Sequence, residues 1–105
     1  MALTIRLEDE QGQQVDVVFD RRGVLYNLIS RTAEPGTSRP RLADFIDLYG
    51  NTVFNILQMK QLDDELEALG NAIQNPEEEL LLSDVRVLVA RCQTGHHLYI
   101  KIYGD

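Results

Sequence analysis

Long apolar runs, cysteine, histidine and proline are all scarce in this chain of 105 residues, and tryptophan is absent. The single cysteine, Cys92, has no partner for an internal disulfide, so a packed core must hold the fold. The longest apolar runs, such as Leu80-Leu81-Leu82 and Val87-Leu88-Val89-Ala90, fall far short of the roughly 20 residues a bilayer-spanning helix needs. Met1-Ala2-Leu3-Thr4-Ile5-Arg6 shows no basic stretch leading into a long apolar one, so no export signal is expected and a reducing, cytoplasmic setting is the expectation.

Positive charge is scarce as well. Ten Lys and Arg stand against seventeen Asp and Glu, a net charge of −7, which disfavours a protein whose affinity comes from neutralising phosphates. Neither nucleic acid nor a membrane surface is an expected partner. The seven glycines are scattered singly, with no glycine-rich phosphate cradle, and no cofactor is expected. Ser30, Ser38 and Ser83 sit in no nucleophile elbow. Carboxylate pairs such as Asp44 with Asp47, or Asp16 with Asp20, do acid and base work only where they converge in a cleft, and in so acidic a chain most are solvated. Cys92, His96 and His97 have poor spacing for a metal, since Gly95 breaks the helix between them and adjacent histidines in a strand face opposite ways. Cys92 reads as a small buried hydrophobe.

What is present is the patterning of one small domain, with 44% apolar and 26% charged residues. A chain of this length buries roughly 60 to 65% of its unfolded surface, enough for one modest core. Leu3, Ile5 and Leu7 alternate with polar residues, and after a polar turn through Gly12 so do Val15, Val17 and Phe19, which predicts an antiparallel hairpin. Val24, Leu25, Leu28 and Ile29 lie on one face of a short helix over about 23–33, ended by the proline- and glycine-rich loop 34–41. The stretch 42–48 fits a helical face or a strand, and a fourth strand is the expectation there. From Thr52 onward, Val53, Ile56, Met59, Leu62, Leu66, Leu69 and Ile73 predict one amphipathic helix of about five turns. Asn75-Pro76-Glu77-Glu78-Glu79 has the cap, the proline and the acidic first turn of a second long helix, which Thr94-Gly95 ends. Residues 97–103 alternate as a last strand, with Leu98, Ile100 and Ile102 inward and Tyr99, Lys101 and Tyr103 outward. The expected fold is a small two-layer α+β domain over residues 1–105, a mainly antiparallel sheet packed against two or three helices.

Charge is distributed unevenly along the chain. Residues 21–41 carry five arginines against the single acid Glu34, and residues 62–84 carry eight acids with no Lys or Arg. Either these segments neutralise one another in the fold, or the acidic helices present a patch to a basic partner. The second reading gives a small acidic interaction domain, by analogy of size and charge an immunity- or antitoxin-type inhibitor that masks a basic protein. Its working residues would be Asp63, Asp64, Glu65, Glu77, Glu78 and Glu79. Size, acidity and the lack of a catalytic constellation fit this better than an enzyme. Two alternatives stand beside it. One is an enzyme or ligand-binding domain in which Arg39, Arg41, Asp47, Tyr49 and Asn51 surround an anionic small molecule. The other is a homo-oligomer paired through the seam Leu62, Leu66, Leu69 and Ile73, or through the stripe Tyr99 and Tyr103.

Overall fold

A computed structural model describes residues 2–34 and 40–104. Two antiparallel strands, β1 (Leu3–Glu8) and β2 (Gln14–Asp20), form the expected hairpin, and helix α1 (Val24–Arg31) follows. Strand β3 (Asn51–Phe54), helix α2 (Met59–Leu69), helix α3 (Pro76–Thr94) and strand β4 (Tyr99–Tyr103) complete the chain. The four strands lie in the order β2-β1-β4-β3, and every neighbouring pair is antiparallel. The C-terminal strand thus fills the place beside the hairpin, and β2 and β3 are the two edges.

One face of the sheet carries the core. Leu3, Ile5 and Leu7 of β1, Phe54 of β3, and Ile100 and Ile102 of β4 form one buried cluster with Val24, Leu25, Leu28 and Ile29 of α1. Met59, Leu62, Leu66 and Leu69 of α2 join them, with Leu81, Leu82, Val85, Leu88, Val89 and Cys92 of α3. The seam Leu62, Leu66 and Leu69 is therefore spent inside the chain's own core. Ile73 is partly buried against the same cluster.

Strand β2 faces the opposite way from what its apolar alternation suggests. Val15, Val17 and Phe19 read as the inward set, yet Phe19 is 61% exposed and Val15 44%, while Asp20 is buried. The cause is Asp20. Its carboxylate accepts the amides of Val24 (2.8 Å) and Leu25 (2.9 Å), the first two residues of α1, so it must point toward the helix layer. A carboxylate here satisfies two orphan donors and sits at the positive end of the helix dipole. Because side chains alternate, fixing Asp20 inward turns Phe19 outward. Gly23, at φ 66, supplies the left-handed backbone needed between Asp20 and the helix.

The stretch 42–58 also departs from expectation. The fourth strand is β3, at 51–54, and not 42–48, where Leu42–Phe45 forms a 3₁₀ turn. Asp44 reaches back to the Arg41 amide at 2.9 Å, and Glu65 of α2 accepts the amides of Leu42 and Ala43, both at 3.0 Å. Side chains thus hold as a turn a segment whose apolar spacing also fits a strand. The helix expected from Thr52 begins only at Met59 and runs 11 residues. Thr52, Val53 and Phe54 are β-branched or aromatic and pair with β4. Asn55 then closes a capping box around the 3₁₀ turn Ile56–Gln58, accepting the Leu57 amide while Gln58 accepts the Asn55 amide. Helix α3 starts as expected, with the Asn75 side chain accepting the Glu78 amide and Pro76 leading.

Candidate functional site

The six acids expected to form one patch are put to different uses. Glu78 is buried, accepts two hydrogen bonds from the Arg31 guanidinium (3.0 and 2.9 Å), and accepts the Gln74 amide. The Arg31 hydrogen bonds, aided by that amide, hold the Glu78 carboxyl below its usual range. Glu65 holds the 3₁₀ turn described above and also accepts from Gln61. Asp63 pairs with Arg86 at 3.1 Å, Glu77 with Arg22 at 3.3 Å, and Asp64 with Lys60 at 3.4 Å. Glu79 is exposed on the first turn of α3. Two arginines of the basic segment, Arg22 and Arg31, thus lie against two acids of the acidic one, and the segments partly neutralise each other.

The residues expected around a small anion are likewise spread out. Arg39 lies outside the described residues. Arg41 donates to the Thr32 hydroxyl and the Ile29 carbonyl and pairs with Asp44, tying the end of α1 to the 3₁₀ turn. The hollow of about 490 Å³ that Arg41 lines is built with Thr32, Asp44, Gln61, Asp64 and Glu65, and not with Asp47, Tyr49 or Asn51. Asp47 instead organises the turn before β3, its carboxylate accepting the Tyr49 amide and its amide donating to the Thr52 hydroxyl. Tyr49 is 79% exposed, and Asn51 pairs with Tyr103 in the sheet.

Cys92 is fully buried, its thiol donates to the Leu98 carbonyl, and burial pushes its pKa up to about 11. At neutral pH it is a packed thiol, not a nucleophile. Among the described residues, no three His, Cys, Asp or Glu side chains gather where they could hold a metal ion.

A larger concavity than the Arg41 hollow lies elsewhere, along the free edge of β2 where α3 runs beside it. It encloses about 570 Å³ over a floor of Val18, Val24, Leu81 and Leu88. Helix α3 presents Glu77, Leu80, Asp84, Val87 and Arg91 to this side at intervals of three and four, so one stripe alternates charged and apolar groups. Leu80 is 65% exposed and Val87 52%. Ion pairs bound the stripe at both ends, Glu77 with Arg22 and Arg91 with Asp16 of β2. Asp16 also accepts the amide of Val17 at 2.8 Å, which occupies a donor that an incoming strand would need. Phe19 borders the groove along β2, and its register with Thr4, which also faces Tyr103, puts its exposed ring on the outer face of the sheet. The lining holds four carboxylates, Asp16, Asp20, Glu77 and Asp84, against the two guanidinium groups of Arg21 and Arg22. No motif marks this groove in the sequence. The one signal was Leu80, a third leucine in a run whose neighbours already fill the core face.

The opposite, outer face of the sheet bears the stripe Tyr99, Lys101 and Tyr103. Arg6 and Lys101 stack on the Tyr103 ring, 5.4 and 5.1 Å from its centre, and the Tyr103 hydroxyl donates to buried Glu8. Arg6 Nε lies 3.1 Å from the same carboxylate.

Fold and groove together define a compact two-layer α+β domain with an open, acid-lined apolar groove at one sheet edge. Compared with family models, with curated proteins and with solved structures, the chain matches none. No helix among the described residues is long and apolar enough to cross a membrane.

Proposed function

We propose that this protein is a cytoplasmic protein-interaction domain that binds a basic partner protein through the groove between β2 and α3, in the manner of an immunity or antitoxin protein masking its target. The observation that carries the reading is the exposure of Leu80 and Val87 at one concavity whose lining is mostly apolar and whose charged groups are four acids against two arginines. Apolar anchors at the centre of an interface supply most of its affinity, and rim charges of one sign speed encounter with the opposite sign. The acid at work is Asp84, which is exposed, flanked by Glu77 and Asp16 in exposed pairs with Arg22 and Arg91 that an incoming basic group can exchange into. Glu65 and Glu78 are occupied inside the fold, so only Glu77 of the acidic cluster at the start of α3 lines the groove. The capped edge of β2 favours side chains seated in the groove over an added strand.

The test starts with capture from lysate of the source organism at low and moderate salt. The retained protein is then purified, and its affinity is measured for wild type, Leu80→Lys, Asp84→Lys and Glu79→Lys. A basic partner that loses about tenfold or more in affinity, a change of about 1.4 kcal/mol, with Leu80→Lys and Asp84→Lys but little with Glu79→Lys supports the groove. Its association should also slow with added salt. Equal binding by wild type and both groove variants would overturn the reading.

A further inference from the structure

The two edges of the sheet are treated differently. Strand β2 carries the devices that prevent strand addition: Asp16 caps an outward amide, Asp16 and Asp20 bring charge, and the β1–β2 register shifts at Leu7/Glu8. Strand β3, Asn51-Thr52-Val53-Phe54, has no charge, no proline and no register shift against β4. Its free edge can be read from its pairing. The Gly104 amide donates to the Gly50 carbonyl, which makes that pair hydrogen-bonded. Alternation then places Thr52 and Phe54 in bonded pairs with Ile102 and Ile100, and turns the backbone groups of Asn51 and Val53 outward. Both residues are exposed.

The chain on either side of this edge, residues 45–58, is largely apolar and carries little charge. Phe45, Tyr49, Val53, Ile56 and Leu57 are five of the nine exposed large hydrophobic residues among the described ones, and Leu57, at 89%, is the most exposed of them. Asp47 is the only charged residue from 45 to 58, and its carboxylate is engaged by the Tyr49 amide. The cross-strand neighbour of Val53 is Lys101, which is stacked on Tyr103. Asp47 is the one carboxylate that the described residues 45–58 offer a basic partner here. Two copies of a chain with net charge −7, by contrast, repel unless they meet where charge is lacking.

We infer that β3 is the seat of a two-fold homodimer, in which β3 of a second copy adds antiparallel and joins the two sheets into one. With the axis at Thr52, Asn51 of each copy faces Val53 of the other, so each pair exchanges N–H and C=O groups on the edge left free by β4. An isologous contact of this kind is self-complementary by construction. Strand pairing over so few residues buries little of the roughly 800 Å² per partner that a stable interface needs. The dimer therefore requires the exposed Tyr49, Ile56 and Leu57, which flank the strand in sequence, to supply the remainder. Because β2 is the other edge of the sheet, the groove stays open in the dimer, and this inference does not depend on the partner proposed above.

The experiment is light scattering over a dilution series, coupled to hydrogen exchange of the full chain. We expect twice the monomer mass at high concentration, with the Asn51 and Val53 amides protected there and exchanging on dilution. Val53→Lys, which sets a charge at the centre of the contact, should give the monomer with its circular dichroism retained. Leu57→Glu lies outside the sheet and should weaken the dimer in the same direction even if Val53→Lys folds poorly. A wild-type monomer at high concentration would overturn the inference. So would a dimer in which the Asn51 and Val53 amides exchange freely, or one that Leu57→Glu leaves intact.

Discussion

Asp20 shows how one side chain can set the facing of an element. The alternation of β2 alone would bury Phe19, and it is the need of α1 for an acceptor at its first amides that reverses the strand. We expect Asp20→Ala to destabilise the fold by about 3 kcal/mol, the loss of charge-assisted hydrogen bonds that leaves buried donors without a partner. Asp20→Asn retains one acceptor and should recover part of that loss; chemical denaturation of the two variants checks the order. Cys92 makes the complementary point about chemistry. With its pKa pushed to about 11 by burial, the thiol should resist a thiol-specific reagent at neutral pH in the native state and react fully once the chain is unfolded. Fast labelling of the folded protein would contradict the packing described. Both residues stood out in the sequence as members of candidate pairs, Asp20 with Asp16 and Cys92 with His96. Neither pairing was informative, because the decisive partners are a backbone amide and a backbone carbonyl, which no side-chain pattern reveals.

At the scale of elements, legibility followed local completeness. Helix α3 carries its own start signal, Asn75 and Pro76, and its own stop at Gly95, so its bounds are readable without knowing what it packs against. The hairpin and β4 are readable for the same reason, a clean alternation bounded by turns. The segment 42–58 is not, because its conformation is decided by partners distant in sequence: β4 for Thr52 to Phe54, and Glu65 for the amides of Leu42 and Ala43. An apolar period of three or four continues smoothly from Val53 into α2, and only the Asn55 capping box marks where strand gives way to helix. Glu65 therefore acts at this level, holding the turn Leu42–Phe45 against α2. In Glu65→Ala the Leu42 and Ala43 amides should lose protection from hydrogen exchange while those in the middle of α2 keep theirs. Simultaneous loss along α2 would mean that Glu65 supports the helix itself. The groove was illegible for a related reason, since it arises between β2 and α3 only after Asp20 has fixed which face of β2 turns outward.

Across the whole molecule, the uneven charge seen along the sequence resolves into unequal ion pairs. Arg22 with Glu77 and Lys60 with Asp64 are largely exposed, and pairs of that kind contribute about 0 to 1 kcal/mol and are screened by salt. Arg31 with Glu78 differs in geometry: it is bidentate, joins α1 to the start of α3, and shares its carboxylate with the Gln74 amide. Glu78, held down chiefly by the Arg31 hydrogen bonds, and Asp44, held down chiefly by those of Arg41, both titrate lower in the folded chain than in the unfolded one. A lowered carboxylate binds its proton more readily when unfolded, so its stabilisation is complete above the unfolded pKa and disappears as pH falls through the folded value. The window follows from the ordinary values of 4.5 for Glu78 and 3.8 for Asp44. The melting temperature should hold steady on the neutral side of that range and fall progressively on the acid side. Glu78→Gln keeps the shape but not the charge, so it should start lower at neutral pH and decline less steeply in acid, the two curves converging once the native carboxyl is protonated. Parallel curves would instead place the acid sensitivity in other carboxylates and reduce the Arg31–Glu78 contact to a packing role.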